Sequence, residues 1–301
     1  MNQLYLCSIN EARYRALLEA AALPDLVLTD SVQDATIILA DPPKLAPRIE
    51  KATQLQWLQS TFAGADALLS KPRTDYTLTN VRGIFGPLMS EYVFGQLLTL
   101  SRHLPHYRDM QEGARWSPIS YRGLTGKTMV ILGTGSIGAH VASTARHFGM
   151  KTIGVSRSGK SVTAFDKVLP THHITTALSD ADVIVSILPS TTETKGIINL
   201  ETLSVCQGAI LFNVGRGPAV EEQGLLDALD AGYIQHAVLD VFCHEPLASS
   251  HPFWQHPSIT VTPHISAESF PEQVFEIFAD NYRRWCNGEP LNYVMDFSLG
   301  Y

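Results

Sequence analysis

A glycine-rich segment that follows a short apolar run constrains the fold of this chain more than any other feature. The run Thr128–Leu132 is followed by Gly133, Gly135 and Gly138, and then by a helical pattern of apolar residues. In such a segment the first glycine permits a tight turn, the second lets the backbone approach a phosphate, and the third lets the helix pack closely on the strand. The free N–H groups at the start of the helix favour anions. We therefore predict a dinucleotide-binding βαβ unit.

The residues after the next predicted strand indicate which dinucleotide is bound. Units that bind NAD usually carry an acidic residue there, which accepts hydrogen bonds from the ribose 2′-hydroxyl. The strand at residues 151–155 is followed instead by Ser156, Arg157 and Ser158, with Lys160 close behind. A guanidinium and hydroxyls can hold a 2′-phosphate, which a carboxylate would repel. We expect NADP(H) to be preferred, with NAD(H) as a second usable cofactor; the alternative is that Arg157 and Lys160 form an ordinary solvated loop.

Length and composition narrow the class of protein. A chain of 301 residues is long for one domain, so two domains are expected. The net charge of −7 argues against nucleic-acid partners and against an anionic membrane surface. No signal peptide and no membrane-spanning run is recognised, so a cytoplasmic protein is expected. The four cysteines form no CxxC pair, and His172 and His173 lack a third ligand at regular spacing, so no metal site is expected.

Short apolar strands alternate with helical patterns along the whole chain, which is typical of parallel sheets covered by helices. Strands are predicted near residues 4–7, 26–29, 36–40, 55–60 and 76–79, and again near 128–132, 151–155, 183–188, 209–214, 237–241 and 259–262. A long helix that starts near Ser90 is predicted to connect the two series, and a last helix is predicted near residues 272–286. The fold class is therefore α/β, with two doubly wound, Rossmann-like parallel-sheet domains and a cleft between them.

Three polar side chains follow the later predicted strands. Arg216, Glu245 and His264 each lie where an apolar strand gives way to a loop, the edge at which open parallel sheets bind their ligands. An arginine can hold a carboxylate through paired hydrogen bonds, and a histidine can donate a proton to a carbonyl oxygen. A neighbouring glutamate stabilises the imidazolium and orients the ring. Taken singly, each residue has an ordinary alternative as a structural or solvated side chain.

With the segments around them, these residues resemble the D-isomer-specific 2-hydroxyacid dehydrogenase family over nearly the whole chain. The matching segments are WLQSTFAGAD at 57–66, the glycine motif, LP at 188–189 with 191–199, NVGRGPAV at 213–220, DVF at 240–242 with EP at 245–246, HPFW at 251–254 and PHIS at 263–266. The resemblance implies reversible hydride transfer between a nicotinamide cofactor and a 2-oxo or 2-hydroxy acid.

Carried over residue by residue, the resemblance implies a role for each matched position. His264 is implied to be the acid and base, Glu245 its partner, and Arg216 the residue that holds the substrate. The backbone around Ala63 and Gly64 is implied to bind the substrate carboxylate. The implied cofactor-binding residues are Gly133, Gly135, Ser136, Ile137, Gly138, Ser156, Arg157, Ser158, Leu188, Pro189, Thr194, Val214, Gly215, Asp240 and Ser266.

The resemblance also implies how the chain is divided. A discontinuous, flavodoxin-like substrate-binding domain would consist of residues 1–93 and 269–301, and a dinucleotide-binding domain of residues 94–268. Within the latter, Asp240 matches the residue that contacts the nicotinamide carboxamide. A small-molecule substrate and a second copy of the chain, in a homodimer, are the partners that the resemblance implies.

Within the family, the chain length and the stretch around Arg157 look most like the NADPH-dependent glyoxylate/hydroxypyruvate reductases. Reduction of such a small 2-oxo acid to the D-2-hydroxy acid is therefore expected. Two alternatives stay open. The substrate could be a bulkier 2-oxo acid such as 2-ketopantoate or phenylpyruvate, or the protein could sense NAD(P)H without catalysis, because the fold alone does not guarantee a reaction.

Overall fold

The computed structural model describes residues 1–297, and the chain divides into two compact units. One unit comprises Met1–Ile84 and the chain from Ser269 onward, and the other comprises Phe85–Glu268. The boundary that the resemblance implies, between residues 93 and 94, falls inside the second unit. Within the described residues, no helix is both long and apolar enough to cross a lipid bilayer.

The first unit, as far as residue 297, is built on a sheet of five strands. The strands are β1 Asn2–Cys7, β2 Leu26–Leu28, β3 Ile37–Ala40, β4 Trp57–Ser60 and β5 Thr77–Thr79, and the first helices are α1 Glu11–Ala21, α2 Pro42–Leu45 and α3 Asp66–Leu69. Neighbouring strands are parallel, in the order β2-β1-β3-β4-β5. This is the flavodoxin-like order. All four residues of β3 are fully buried, as expected for a central strand of a sheet covered on both faces.

The second unit is built on a sheet of seven strands within residues 85–268. Its strands are β6 Thr128–Leu132, β7 Lys151–Ser156, β8 Lys167–Pro170, β9 Val183–Ser186, β10 Ala209–Asn213, β11 Ile234–Leu239 and β12 Ile259–Val261, and its helices are α4 Phe85–Ser101, α5 Leu104–Glu112, α6 Ser136–His147, α7 Ile174–Leu178, α8 Leu200–Leu203 and α9 Glu222–Asp230. The order is β12-β11-β10-β9-β6-β7-β8, with parallel neighbours throughout. The predicted α/β class with two parallel, doubly wound sheets is confirmed.

The last helix, α10 Pro271–Asn287, returns the chain to the first unit. Phe278 of this helix stacks on Trp57 of β4 at a ring-centroid distance of 5.4 Å. Asn281, which is fully buried, donates a hydrogen bond to Oε1 of Gln59 at 3.1 Å. Aromatic packing and this buried polar contact therefore join two distant parts of the sequence into one core.

Helix α4 begins at Phe85, five residues before the predicted start near Ser90. Gly86 and Pro87 obscure this start in the sequence, but proline is tolerated in the first turn of a helix because its missing N–H has no partner there. A Cβ added at Gly86 would lie 2.8 Å from the Cβ of His140 on α6. The glycine is therefore needed for the close approach of α4 and α6.

Candidate active site

The glycine-rich turn is formed by backbone groups that approach one another too closely for side chains. Gly133 directly follows β6 with a φ of +108°, and a Cβ added there would lie 3.0 Å from the carbonyl oxygen of Ile187. A Cβ added at Gly138 would collide with the carbonyl oxygen of Gly133. At Gly135, by contrast, an added Cβ would meet no atom within 4 Å. The first and third glycines therefore serve the turn itself, and the second borders open space.

The start of helix α6 supplies the donors for an anion at this turn. Gly135 is its N-cap residue and accepts the first helical hydrogen bond, from the N–H of Ala139 at 2.9 Å. The N–H groups of Ser136, Ile137 and Gly138 precede that bond, and such groups have no helical acceptor. The turn also lies between β6 and β9, where the strand order reverses and where doubly wound sheets bind their ligands. These features fit a dinucleotide pyrophosphate.

The predicted 2′-phosphate residues lie at the carboxyl end of β7. Ser156 is the last residue of that strand, and Arg157 and Ser158 follow it with exposed side chains. The pKa of the Glu193 carboxyl is lowered by hydrogen bonds from its own backbone N–H and from the Thr191 side chain, and the charge of Arg157 lowers it further. Arg157 therefore lies close enough to the loop after β9 for the two charges to interact.

That loop, which contains Leu188, Pro189 and Thr194, is held by its own hydrogen bonds. The Thr194 hydroxyl donates to the Pro189 carbonyl at 2.6 Å and accepts from the N–H of Thr191 at 2.9 Å. Thr194, which was predicted as a cofactor contact, thus joins residues 189 and 191 of the loop through its hydroxyl. The loop thereby keeps a fixed shape beside the glycine-rich turn.

The segment after β10 places Arg216 next to this loop. A Cβ added at Gly215 would lie 2.6 Å from the backbone nitrogen of Leu188, so only glycine fits there. Asn213 donates to the carbonyl of Arg216 at 3.1 Å, and Nη1 of Arg216 donates to the carbonyl of Gly215 at 2.8 Å. The backbone of this turn and the base of the guanidinium are thus fixed by short local contacts.

The turn that carries Arg216 also packs on the segment that carries Glu245. A Cβ at Gly217 would collide with the carbonyl group of Phe242, so the two backbones touch at this point. Oε1 of Glu245 accepts a hydrogen bond from the N–H of Phe242 at 2.9 Å. The same short segment therefore contacts the Arg216 turn and orients the Glu245 carboxylate.

Glu245 and His264, 19 residues apart in the sequence, form a direct hydrogen bond between Oε2 and Nδ1 at 2.8 Å. The side chain of His264 is 53% exposed and that of Glu245 is 35% exposed. Within residues 1–297, Nε2 of His264 makes no hydrogen bond. The carboxylate thus fixes the ring through Nδ1 and leaves Nε2 for a ligand. A histidine held in this way can transfer a proton.

Asp240, predicted as a nicotinamide contact, also makes hydrogen bonds within the protein that the sequence did not reveal. This residue follows β11, has no exposed surface, and its carboxylate accepts hydrogen bonds from the Thr262 hydroxyl at 2.6 Å and from the N–H groups of Ile265 and Ser266, each at 2.9 Å. These contacts bracket His264, whose φ is +55°. The predicted cofactor residues Asp240 and Ser266 are therefore joined to each other. For these contacts with the His264 loop, the only signal in the sequence was an acid that directly follows an apolar strand.

The first unit positions the loop that contains Ala63 and Gly64. The carbonyl of Ala63 accepts a hydrogen bond from Nδ2 of Asn80 at 2.7 Å, and Oδ1 of Asn80 accepts one from Nε of Arg82 at 3.0 Å. Asn80 is 5% exposed. A buried amide after β5 thus holds the loop after β4, a connection for which the sequence offered no signal.

Comparison with known proteins identifies the chain at the level of its family. Residues 94–266 match the family model described as D-isomer specific 2-hydroxyacid dehydrogenase, NAD binding domain. A glyoxylate/hydroxypyruvate reductase A of Photorhabdus laumondii is 36% identical over 217 residues, which are 72% of this chain and 69% of that protein. Fold and comparisons thus define a nicotinamide-dependent oxidoreductase. The chain belongs to the D-isomer specific 2-hydroxyacid dehydrogenase family.

Two solved structures extend the similarity to nearly the full length. A D-isomer specific 2-hydroxyacid dehydrogenase family protein from Aeromonas salmonicida is 50% identical, with a TM-score of 0.92 over 98% of this chain and 99% of that chain. The NADPH-dependent glyoxylate/hydroxypyruvate reductase of Sinorhizobium meliloti, solved with NADP and sulfate, is 26% identical, with a TM-score of 0.87 over all of both chains. The similarity therefore covers both units.

The contrast between two glycines of the turn gives a testable prediction. Gly138→Ala should lower the melting temperature of the ligand-free protein, because the methyl group collides with the Gly133 carbonyl; overpacking of this kind costs about 1–3 kcal/mol. Gly135→Ala should leave that temperature unchanged but weaken dinucleotide binding, because the methyl group enters the open space beside the helix start. Thermal melts and fluorescence titration check both. Equal melting temperatures for the two variants would contradict this division of roles.

Proposed function

We propose that this chain reduces a small 2-oxo acid, of the glyoxylate or hydroxypyruvate type, to the D-2-hydroxy acid with NADPH, in a reversible reaction. The observation that carries the proposal is the hydrogen bond between His264 and Glu245, because the other nitrogen of an exposed imidazole is left for a proton transfer. The substrate class is supported by the names of the Photorhabdus and Sinorhizobium reductases.

In this proposal each polar residue of the site has one task. NADPH held at the glycine-rich turn would supply the hydride that the carbonyl carbon accepts. His264 donates the proton on Nε2 to the carbonyl oxygen, so that a hydroxyl group forms, and Glu245 stabilises the protonated ring beforehand. Arg216 orients the substrate through charge-assisted hydrogen bonds, and the backbone at Ala63 and Gly64 receives the carboxylate. The first unit is then the substrate-binding part of the chain.

The remaining predicted contacts concern the dinucleotide. The glycine-rich turn and the N–H groups of Ser136 and Ile137 hold the pyrophosphate. Ser156, Arg157 and Ser158 hold the 2′-phosphate. Asp240 contacts the nicotinamide carboxamide, and the other predicted cofactor contacts are Leu188, Pro189, Thr194, Val214, Gly215 and Ser266. The open space at Gly135 and the exposed side chains after β7 support these assignments.

The proposed acid can be tested by turnover. We expect NADPH oxidation with glyoxylate and hydroxypyruvate to exceed that with pyruvate, 2-ketopantoate and phenylpyruvate. His264→Ala should lower kcat at least about 100-fold while the Kd for NADPH changes less than about twofold, since general acid catalysis contributes about 10²–10⁴-fold. His147→Ala, which removes an exposed histidine at the end of α6, serves as the control. An undiminished kcat in His264→Ala would exclude the acid role.

The same assays separate the two alternative functions. A higher kcat/KM with 2-ketopantoate or phenylpyruvate would identify a reductase for bulkier acids. NADPH binding without turnover of any acid would instead favour a sensor of the reduced cofactor. The net charge of −7 and the loop around Arg157, which fits NADPH, favour an enzyme.

The preference for NADPH is proposed from Arg157 and its neighbouring serines. Replacing the guanidinium by a neutral amide in Arg157→Gln should lower kcat/KM for NADPH about tenfold and leave that for NADH nearly unchanged, since a hydrogen bond to a charged group contributes about 1.5–3 kcal/mol. Lys151→Gln is a matched control, because it removes a cation from the opposite end of the same strand. A parent enzyme with a higher kcat/KM for NADH would refute the preference.

A homodimer is proposed on the basis of the surface around α5. No residue of this helix is buried. Leu104 and Tyr121 are each 51% exposed, and Trp116 between them in the sequence is 97% exposed. A tryptophan so fully open to solvent is typical of a surface that binds another protein. We infer that a second copy of the chain covers this segment.

Measurement of mass in solution tests the dimer. Sedimentation should give twice 33.0 kDa for the parent protein. Trp116→Ser combined with Leu104→Ser should shift it toward 33.0 kDa, whereas Ile9→Ser, at an isoleucine 81% exposed in the first unit, should not. A monomeric parent would refute the proposal.

The cytoplasm is the proposed location of the protein, since the exposed thiols of Cys243 and Cys286 would stay reduced there. Fractionation of cells checks this location.

A further inference from the structure

A chain of hydrogen bonds connects helix α4 to the loop that carries His264. Oη of Tyr92 lies 2.6 Å from Oγ1 of Thr262, and that hydroxyl donates to Oδ1 of Asp240 at 2.6 Å. Thr262 has one proton on its hydroxyl and gives it to the carboxylate, so the phenol of Tyr92 is the donor to Thr262. The direction of the chain is therefore fixed, from Tyr92 through Thr262 to Asp240.

The carboxylate at the end of this chain organises the backbone on both sides of His264. Oδ1 also accepts the N–H of Ile265, and Oδ2 accepts the N–H of Ser266. The N–H of His264 itself donates to the backbone carbonyl of Asp240 at 2.9 Å. The contacts of Asp240 with this loop thus fall on His264 itself and on residues within two positions of it.

His264 needs such support because of its backbone conformation. Its φ of +55° lies in the left-handed region, which costs a residue with a side chain about 1–3 kcal/mol. The surrounding structure must hold it there. Because Asp240 has no exposed surface, its hydrogen bonds are made without competition from water, and they become stronger for that reason.

We propose that Tyr92 is a positioning residue that holds the His264 loop in its reactive conformation by orienting Thr262 and, through it, the Asp240 carboxylate. This role rests on the proposed function of His264 as the acid. Tyr92 contacts neither His264 nor Glu245 through a hydrogen bond within the described residues. It acts through the loop.

The phenol of Tyr92 can donate its hydrogen bond to Thr262 at any neutral pH. Burial raises the pKa of Tyr92 to about 12. The phenol therefore keeps its proton, and its role as donor, throughout the neutral range. A serine or threonine at the position of Tyr92 would be too short to reach Thr262 from α4, so the long aromatic side chain is needed for the span as well as for the donor.

Tyr92→Phe and two variants of Thr262 test the chain of hydrogen bonds. Tyr92→Phe should lower kcat about tenfold, which corresponds to about 1.4 kcal/mol, while the Kd for NADPH and the KM for the acid change less than about threefold. Thr262→Val, which keeps the shape but loses the hydroxyl, should lower kcat to a similar extent. Thr262→Ser, which keeps the hydroxyl, should stay within about twofold of the parent. The double variant of Tyr92→Phe with Thr262→Val should be no worse than Thr262→Val alone, because both act in one chain.

Tyr233→Phe is the matched control, because it makes the same change just before β11, at the opposite end of the strand that leads to Asp240. Its kcat should equal that of the parent. A thermal melt on each variant detects any general loss of stability. If Tyr92→Phe and Thr262→Val keep the kcat of the parent, the positioning role is overturned. The same holds if the control Tyr233→Phe lowers kcat as much as these two variants do.

Hydrogen exchange gives a readout that does not depend on turnover. In Tyr92→Phe the N–H groups of Ile265 and Ser266 should exchange about tenfold faster than in the parent, while those of α6 should be unchanged. If the parent reduces no 2-oxo acid, the proposed function fails, and the exchange rates still decide whether Tyr92 holds the loop. Unchanged exchange at Ile265 and Ser266 would overturn the positioning role.

Discussion

The buried carboxylate of Asp240 is the contact on which the geometry of the candidate site depends most. A charge without exposed surface is stable only where hydrogen bonds replace the lost hydration, and here one hydroxyl and two backbone N–H groups do so. The same bonds fix the loop after β12. They thereby hold His264 in a left-handed conformation in which its ring meets Glu245.

Parallel strands explain why residues so far apart in the sequence meet. The glycine-rich turn, the segment after β10 and the His264 loop all follow strands of one sheet, and the carboxyl ends of parallel strands lie on one edge. Close backbone contacts then set the spacing between these segments. Gly215 packs on Leu188, and Gly217 packs on Phe242, so glycine is required at both positions.

The places where prediction and structure differ have physical causes. Helix α4 was predicted to start near Ser90 but starts at Phe85. Gly86 and Pro87 are residues that usually interrupt a helix, and the need for Gly86 becomes clear only from its close contact with α6. Strand β8, Lys167–Pro170, was not predicted, because an edge strand is only half covered and lacks a continuous apolar run. Strands in the centre of the sheet, such as β6 and β9, carry runs of at least three consecutive apolar residues and were predicted.

The sequence by itself determined the fold class, the strand–turn–helix unit and the identity of the polar residues at the strand ends. Local spacing carries this information, because glycines and apolar runs act over a few residues. Only the tertiary structure decided the partners of those residues. It joined Asp240 to the loop of His264, Tyr92 to Thr262, and Asn80 to the Ala63 carbonyl. Such contacts depend on how strands and helices pack across long stretches of chain, and no local pattern in the sequence specifies them.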